Sequence, residues 1–189
     1  MPGFLTVTVF GVGLLAASTS LAQTSRYTPA TNPADTTAPK DLLEQDTSFI
    51  KAAAAGGMAE VALSKLAEKS TNPEVKHFAE KMVQDHTKAN TELSTIATEA
   101  GAEMPKTLDT DHQKLYDQLR VKHGGDFDQQ YMRLMVDDHD QAVKLFRQEE
   151  SLGHQPQLRE FAHKSLPTIE EHQRTAVDLS RRLSETAAR

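Results

Sequence analysis

Cysteine is absent, which excludes disulfides, thiolate metal sites, iron–sulfur clusters and thiol nucleophiles together. Tryptophan is absent too, and aromatic residues make up only 5% of the 189, so a core has to be aliphatic and alanine-rich. Positive charge is in deficit: 21 Lys and Arg stand against 27 Asp and Glu, a net charge of −6. A general nucleic-acid binder needs a basic face to displace phosphate counterions, and this balance argues against one. No segment shows the strict alternation of a strand, and past the first 22 residues no apolar run is long enough to span a bilayer. What is present is 38% hydrophobic and 25% charged residues, enough for a sizeable core and too apolar for wholesale disorder. Composition points to one acidic, helical domain.

The first 22 residues read as a signal peptide rather than as part of the fold. Phe4 to Ala17 is apolar and has the length of an h-region, and Ser20-Leu21-Ala22 puts small residues at the −3 and −1 positions of a cleavage site. The mature chain is then expected to begin at Gln23, although no Lys or Arg precedes the apolar run. Export without cysteine fits a periplasmic or secreted bacterial protein better than a disulfide-stapled one. Residues 23–40 are rich in Thr, Pro, Ala and Ser, with Pro29, Pro33 and Pro39 spaced along them, and read as a flexible linker.

Residues 41–187 carry helical periodicity throughout, with breakers where helix ends should fall. Asp41 with Glu44 is expected to form a capping box, with Asp46 as a second start; the first stripe runs Phe49, Ala53, Gly56, Leu63, Leu66. Asn72-Pro73 is an N-cap followed by proline at the first helical position. The second helix shows Val75, Phe78, Met82, Leu93 and Ile96, and stops at Gly101. A short helix is expected around Leu108 to Val121, then a stop at Gly124-Gly125. Asp126 with Gln129 is expected to open the third long helix, which ends at Gly153. Pro156 opens the fourth, where Pro167 lies inside the pattern and should kink it, freeing the carbonyl of His163. Two hairpins joined by a long crossover is the connectivity of a ferritin-like four-helix bundle, here with a short extra helix in the crossover.

A local repeat marks the candidate site. Met82-Val83-Gln84-Asp85-His86-Thr87-Lys88-Ala89 matches Met135 to Ala142 at five of eight positions, 53 residues later, and Ile169-Glu170-Glu171-His172 is a shorter echo. Each His lies on its helix's apolar stripe, and Glu60 sits at comparable height on the first helix. Counted from the hairpin turns, Glu60 is 12 residues away, His86 and His139 are 14 and His172 is 16. At the helical rise these are all about 18–24 Å from a turn, so four side chains can share one layer. Three imidazoles and a carboxylate are an ordinary first shell for a transition metal, with zinc or copper favoured over iron. Asp85, Asp138 and Glu171 are candidate partners that fix the imidazole tautomers, Asp85 pairing with His139 across the bundle and Asp138 with His86. The other reading is that these acid–His pairs only set helix register and hold no ligand. Glu74-x-x-His77 and Glu160-x-x-His163 spell a di-iron motif but fall off the stripes, and His112, His123 and His154 lie in connections. No nucleophile–base set or phosphate loop argues for an enzyme. Partners on these readings are a protein of the cell envelope or a second copy, and not nucleic acid.

The Gly-Gly-x-x-Glu of Gly56, Gly57 and Glu60, the Phe-Ala-x-x-Met-Val-x-Asp-His of Phe78 to His86, the second Met-Val-x-Asp-His and the Leu166-Pro167 before His172 resemble one family. It is the bacterial "domain of unknown function 4142" family, of the ferritin-like superfamily. The resemblance implies an exported four-helix protein without a settled activity.

Overall fold

The structure is a computed structural model and describes residues 42–188. The expected signal peptide (1–22) and linker (23–40), the mature start at Gln23 and the Asp41 half of the first capping box lie outside the described residues. Among the described residues there are five helices and no strands: α1 (Glu44–Ala67), α2 (Pro73–Glu99), α3 (Thr110–Leu119), α4 (Gly124–Leu152) and α5 (Pro156–Ala187). None of them is long and apolar enough to cross a membrane.

Local chemistry explains most of the boundaries. The Asn72 side chain accepts hydrogen bonds from the amides of Glu74 (3.0 Å) and Val75 (3.4 Å), with Pro73 next to it in the first turn. Asp109 does the same for the amides of Asp111 and His112 at the head of α3. α2 ends in a left-handed Gly101 (φ 76), where the Ala102 amide donates to the Ala97 carbonyl and the Gly101 amide to that of Thr98. That pair of bonds is the Schellman closure.

Two expected details differ. α1 starts on Leu43 with no side-chain cap, because Asp46 is fully buried and accepts from the His154 amide in the α4–α5 turn instead. Gly124-Gly125 opens α4 rather than stopping the helix before it: Gly124 takes φ 54, a turn that suits glycine, and the helix begins two residues ahead of Asp126. α5 holds Pro167 in its interior, with the ring exposed to solvent. The lost hydrogen bond therefore falls on the outer face, where water can reach the carbonyl.

α1 packs on α2 and α4, and α5 packs on α4 and α2, so each long helix borders two others; α3 lies against α1 and α4. The core is split in two. Leu63, Val75, Phe78, Met82, Tyr131 and Met135 belong to one apolar cluster, and Phe49, Ile50, Leu93, Phe146, Leu158 and Phe161 to the other. Along every long helix the chain passes from one cluster to the other across a single buried polar residue: Glu60, His86, His139 or His172.

Candidate metal centre

The polar layer is held by apolar neighbours one turn away on each helix, which is why these four side chains turn inward. Glu60 and His86 are 4% and 8% exposed, His139 and His172 no more than 1%. The three imidazoles form a triangle with ring centroids 5.3, 5.5 and 5.6 Å apart. Each offers one ring nitrogen, and the three nitrogens lie within 4.8 Å of one another.

Hydrogen bonds assign the protons. Glu60 Oε2 lies 2.9 Å from His86 Nδ1, and His86 Nε2 lies 3.3 Å from His172 Nδ1. His172 Nε2 is 2.9 Å from Asp85 Oδ2, which Lys81 also reaches at 2.9 Å. Burial opposes the charge on Glu60, but the facing charges of His86, then His139, overcome it and hold the carboxyl at about 2. Burial likewise disfavours a charge on His86, yet the Glu60 carboxylate and its hydrogen bond outweigh it and raise the imidazole above 6.5. For His139 burial wins over Glu60, and the group is lowered. For His172 burial and then the His86 charge push it down to about 4, with Asp85 opposing. One proton too many thus sits on His86. It donates through Nδ1 to Glu60 and through Nε2 to neutral His172, which donates through its own Nε2 to Asp85.

His139 stands outside this chain. Its Nδ1 donates to the Met135 carbonyl at 2.8 Å, leaving Nε2 with a lone pair that is buried and has no hydrogen-bond partner. Such an orphan in a core costs about 1–3 kcal/mol unless something occupies it. Removing the Nε2 proton of His86 would free a lone pair there and release His172 Nδ1. Three neutral nitrogen donors would then be available within one cluster, each imidazole anchored through its other nitrogen to Glu60, Met135 or Asp85.

The structure alters several expected pairings. Asp85 meets His172 rather than His139, because α2 borders α5 and not α4. Asp138 does not bond His86: its Oδ2 is buried without a partner, and burial followed by the charge of Glu60 raises the group to about 7. Glu171 is exposed and acts on Lys81 rather than on an imidazole. Glu60 is in the layer, but it faces the Nδ1 atoms of His86 and His139 (3.5 Å for the latter) instead of joining the three converging nitrogens. His77, His123 and His154 are exposed, as is His163, which pairs with Glu150 at 2.7 Å. His112 is the surprise. It pairs with Asp109 at 2.6 Å and lines the central cavity, where the i,i+3 spacing from an N-cap Asp was the one sequence signal that could have placed it.

That cavity, about 690 Å³, is half open to solvent. α1, α2, α4 and α5 all contribute to its lining, and its polar end holds Glu60, Asp85, His86, Asp138 and His172. His139 lies behind this surface.

A search of curated proteins finds no match to this chain. Among solved structures, a crystal structure of a DUF305 fragment from Deinococcus radiodurans is similar, with a TM-score of 0.64 at 15% identity, covering 75% of this chain and 98% of that one. At that identity the likeness concerns the fold alone. The model of the family described as "Domain of unknown function (DUF4142)" matches residues 30–179, and the chain belongs to that family.

Proposed function

We propose that this protein is an exported helical-bundle protein that binds a divalent transition metal through His86, His139 and His172, in a sensing, buffering or stress-protection role. The observation that carries the reading is the buried, unpartnered Nε2 of His139, a member of a triangle of imidazoles whose ring nitrogens on the other side are already tied down. Glu60 then serves as the carboxylate that orients His86 and balances charge, and Asp85 does so for His172. Three nitrogens without a thiolate favour zinc or copper over iron. Two hairpins joined by the crossover that carries α3 support a ferritin-like arrangement. The apolar start and the Ser20-Leu21-Ala22 sequence support export to the periplasm, with a mature protein whose first residue is Gln23.

The test is metal titration of chelator-treated protein with zinc, copper, iron and manganese, read by melting temperature. Zinc or copper should raise it in the wild type, His139→Ala should abolish the rise, and His77→Ala, an exposed residue on α2, should keep it. His112 is unsuitable as the control because it lines the cavity. No shift with any of the four metals would leave the layer as a register-setting polar network in a structural module of the cell envelope.

A further inference from the structure

Two carboxyl groups outside the imidazole layer are buried where α1 starts and α4 ends. Asp46 lies in the first turn of α1 and is 0% exposed, and Glu149 lies in the last turn of α4 and is 1% exposed. The helices bring them face to face. Phe49 meets Phe146 edge to face with ring centroids 5.1 Å apart, and Glu60 meets His139 at 3.5 Å. Position rises along α1 between these contacts and falls along α4, so the two helices run antiparallel. One turn beyond the phenylalanines, Asp46, three before Phe49, therefore comes opposite Glu149, three after Phe146. Asp46 Oδ1 also accepts from the His154 amide at 2.8 Å, which ties the start of α1 to the α4–α5 turn. That turn is built closely around Glu149: a Cβ on Gly153 would collide with its side chain and its carbonyl.

The contact lacks a donor. Asp46 Oδ2 and Glu149 Oε1 are buried and have no hydrogen-bond partner. Two ionised carboxylates held together away from water repel, and each is an acceptor only. One proton on either group makes it an O–H donor to the other and removes the repulsion. The surroundings favour that state. Burial, then the charge of Asp46, raise the Glu149 carboxyl to about 7, against smaller opposing effects of Arg159 on α5 and Gln45 on α1. The neighbouring Glu150 is paired with His163 at 2.7 Å, and Glu44, Lys51 and His154 are exposed. α2 borders α1 and α5 rather than α4.

We propose that Asp46 and Glu149 form a proton-held latch: while they share a proton the first two turns of α1 stay closed on the α4–α5 turn, and when it leaves those turns open. A raised acid stabilises the closed state fully below about 4.5, and this contribution is lost as pH rises through about 7. The latch therefore holds in mild acid and opens in mild alkali. Opening parts Phe49 from Phe146, which lines the central cavity, so the apolar end of the cavity loosens with it. No metal enters the latch, and it stands whether or not the imidazole layer binds one.

Native-state hydrogen exchange of the chelator-treated full chain tests this, read at the Phe49 and Ile50 amides and, for comparison, at those of Phe78 to Met82 in the other apolar cluster. Protection of Phe49 and Ile50, corrected for intrinsic rates, should fall at least about tenfold from pH 5.5 to 8.5; a shift from 4.5 to about 7 gives about thirtyfold. At pH 8.5 these amides should exchange at least about tenfold faster than those of Phe78 to Met82, the mark of a local opening. Glu149→Gln, which removes the titration, should abolish the fall. Asp46→Asn keeps an acceptor for the His154 amide and should reduce the fall, because Glu149 then meets an amide donor instead of a charge. Protection of Phe49 and Ile50 that ignores pH, or a fall that persists in Glu149→Gln, would overturn the proposal. So would exchange in step with Phe78 to Met82 at pH 8.5, which reports unfolding of the whole bundle instead of a latch.

Discussion

His86 and His172 are the same side chain in the same layer, yet their surroundings drive them to opposite protonation states. Both pay for burial, but only His86 faces the Glu60 carboxylate at 2.9 Å; His172 faces the charge that His86 then carries. The pH dependence follows from these signs. The raised His86 contributes stability that is complete below about 6.5, the unfolded value, and is lost as pH rises through its folded value. His139 and His172 are lowered, so the unfolded chain takes up their protons first, and stability falls as pH drops below about 6.5 towards the folded His172 value of about 4. Glu60 contributes above 4.5, and that contribution disappears as pH falls towards about 2. Two lowered imidazoles against one raised one predict that the metal-free protein loses stability on acidification from pH 6.5 to 4. Urea unfolding across that range measures it, and NMR titration should find His86 above, and His139 and His172 below, the ordinary histidine value.

At the scale of the helices, two adjacent glycines do different jobs. A Cβ at Gly57 would collide with the Asn90 side chain on α2, whereas one at Gly56 meets open space. Gly56→Ala should therefore stabilise α1 by about 1 kcal/mol through helix propensity, while Gly57→Ala should gain clearly less because Asn90 has to swing aside. Thermal unfolding of the two variants side by side decides it. The far end of α1 holds a second buried polar contact. Burial, followed by the charge of Asp46, raises the carboxyl of Glu149 from 4.5 to about 7. A raised acid binds its proton more tightly in the folded state, so its stabilising contribution is complete below about 4.5 and is lost as pH rises through about 7. Glu149→Gln should then stabilise the protein by roughly 2 kcal/mol at pH 8 and by little at pH 5, read from denaturant midpoints at the two values.

Over the whole molecule the layer joins helices that are distant in sequence. A metal held by His86, His139 and His172 would cross-link α2, α4 and α5, while Glu60 ties α1 to the same point. Binding to the folded state alone would add about 4 kcal/mol at a free metal concentration a thousandfold above Kd. Because the extra proton sits on His86, metal binding near pH 7 should release about one proton. Calorimetry in two buffers of different ionisation enthalpy counts it, and a count of zero would contradict the proton placement derived from Glu60.

The chain by itself determined what depends on neighbours along the chain. Asn72-Pro73 and Gly101 mark helix ends because a cap and a left-handed turn are local chemistry. The 3.6-residue repeat sets Glu60, His86, His139 and His172 at one height because helical rise is constant. Only the tertiary structure decided which side chain meets which. Asp85 meets His172, Asp46 caps the far hairpin instead of its own helix, and His112 folds back to the cavity. Those outcomes depend on which helices are adjacent and how each is rotated about its axis. Rotation shifts neighbouring residues by about 100° per position, so a pattern that identifies the inward face does not say which of two bordering helices an edge residue such as Asp85 will reach.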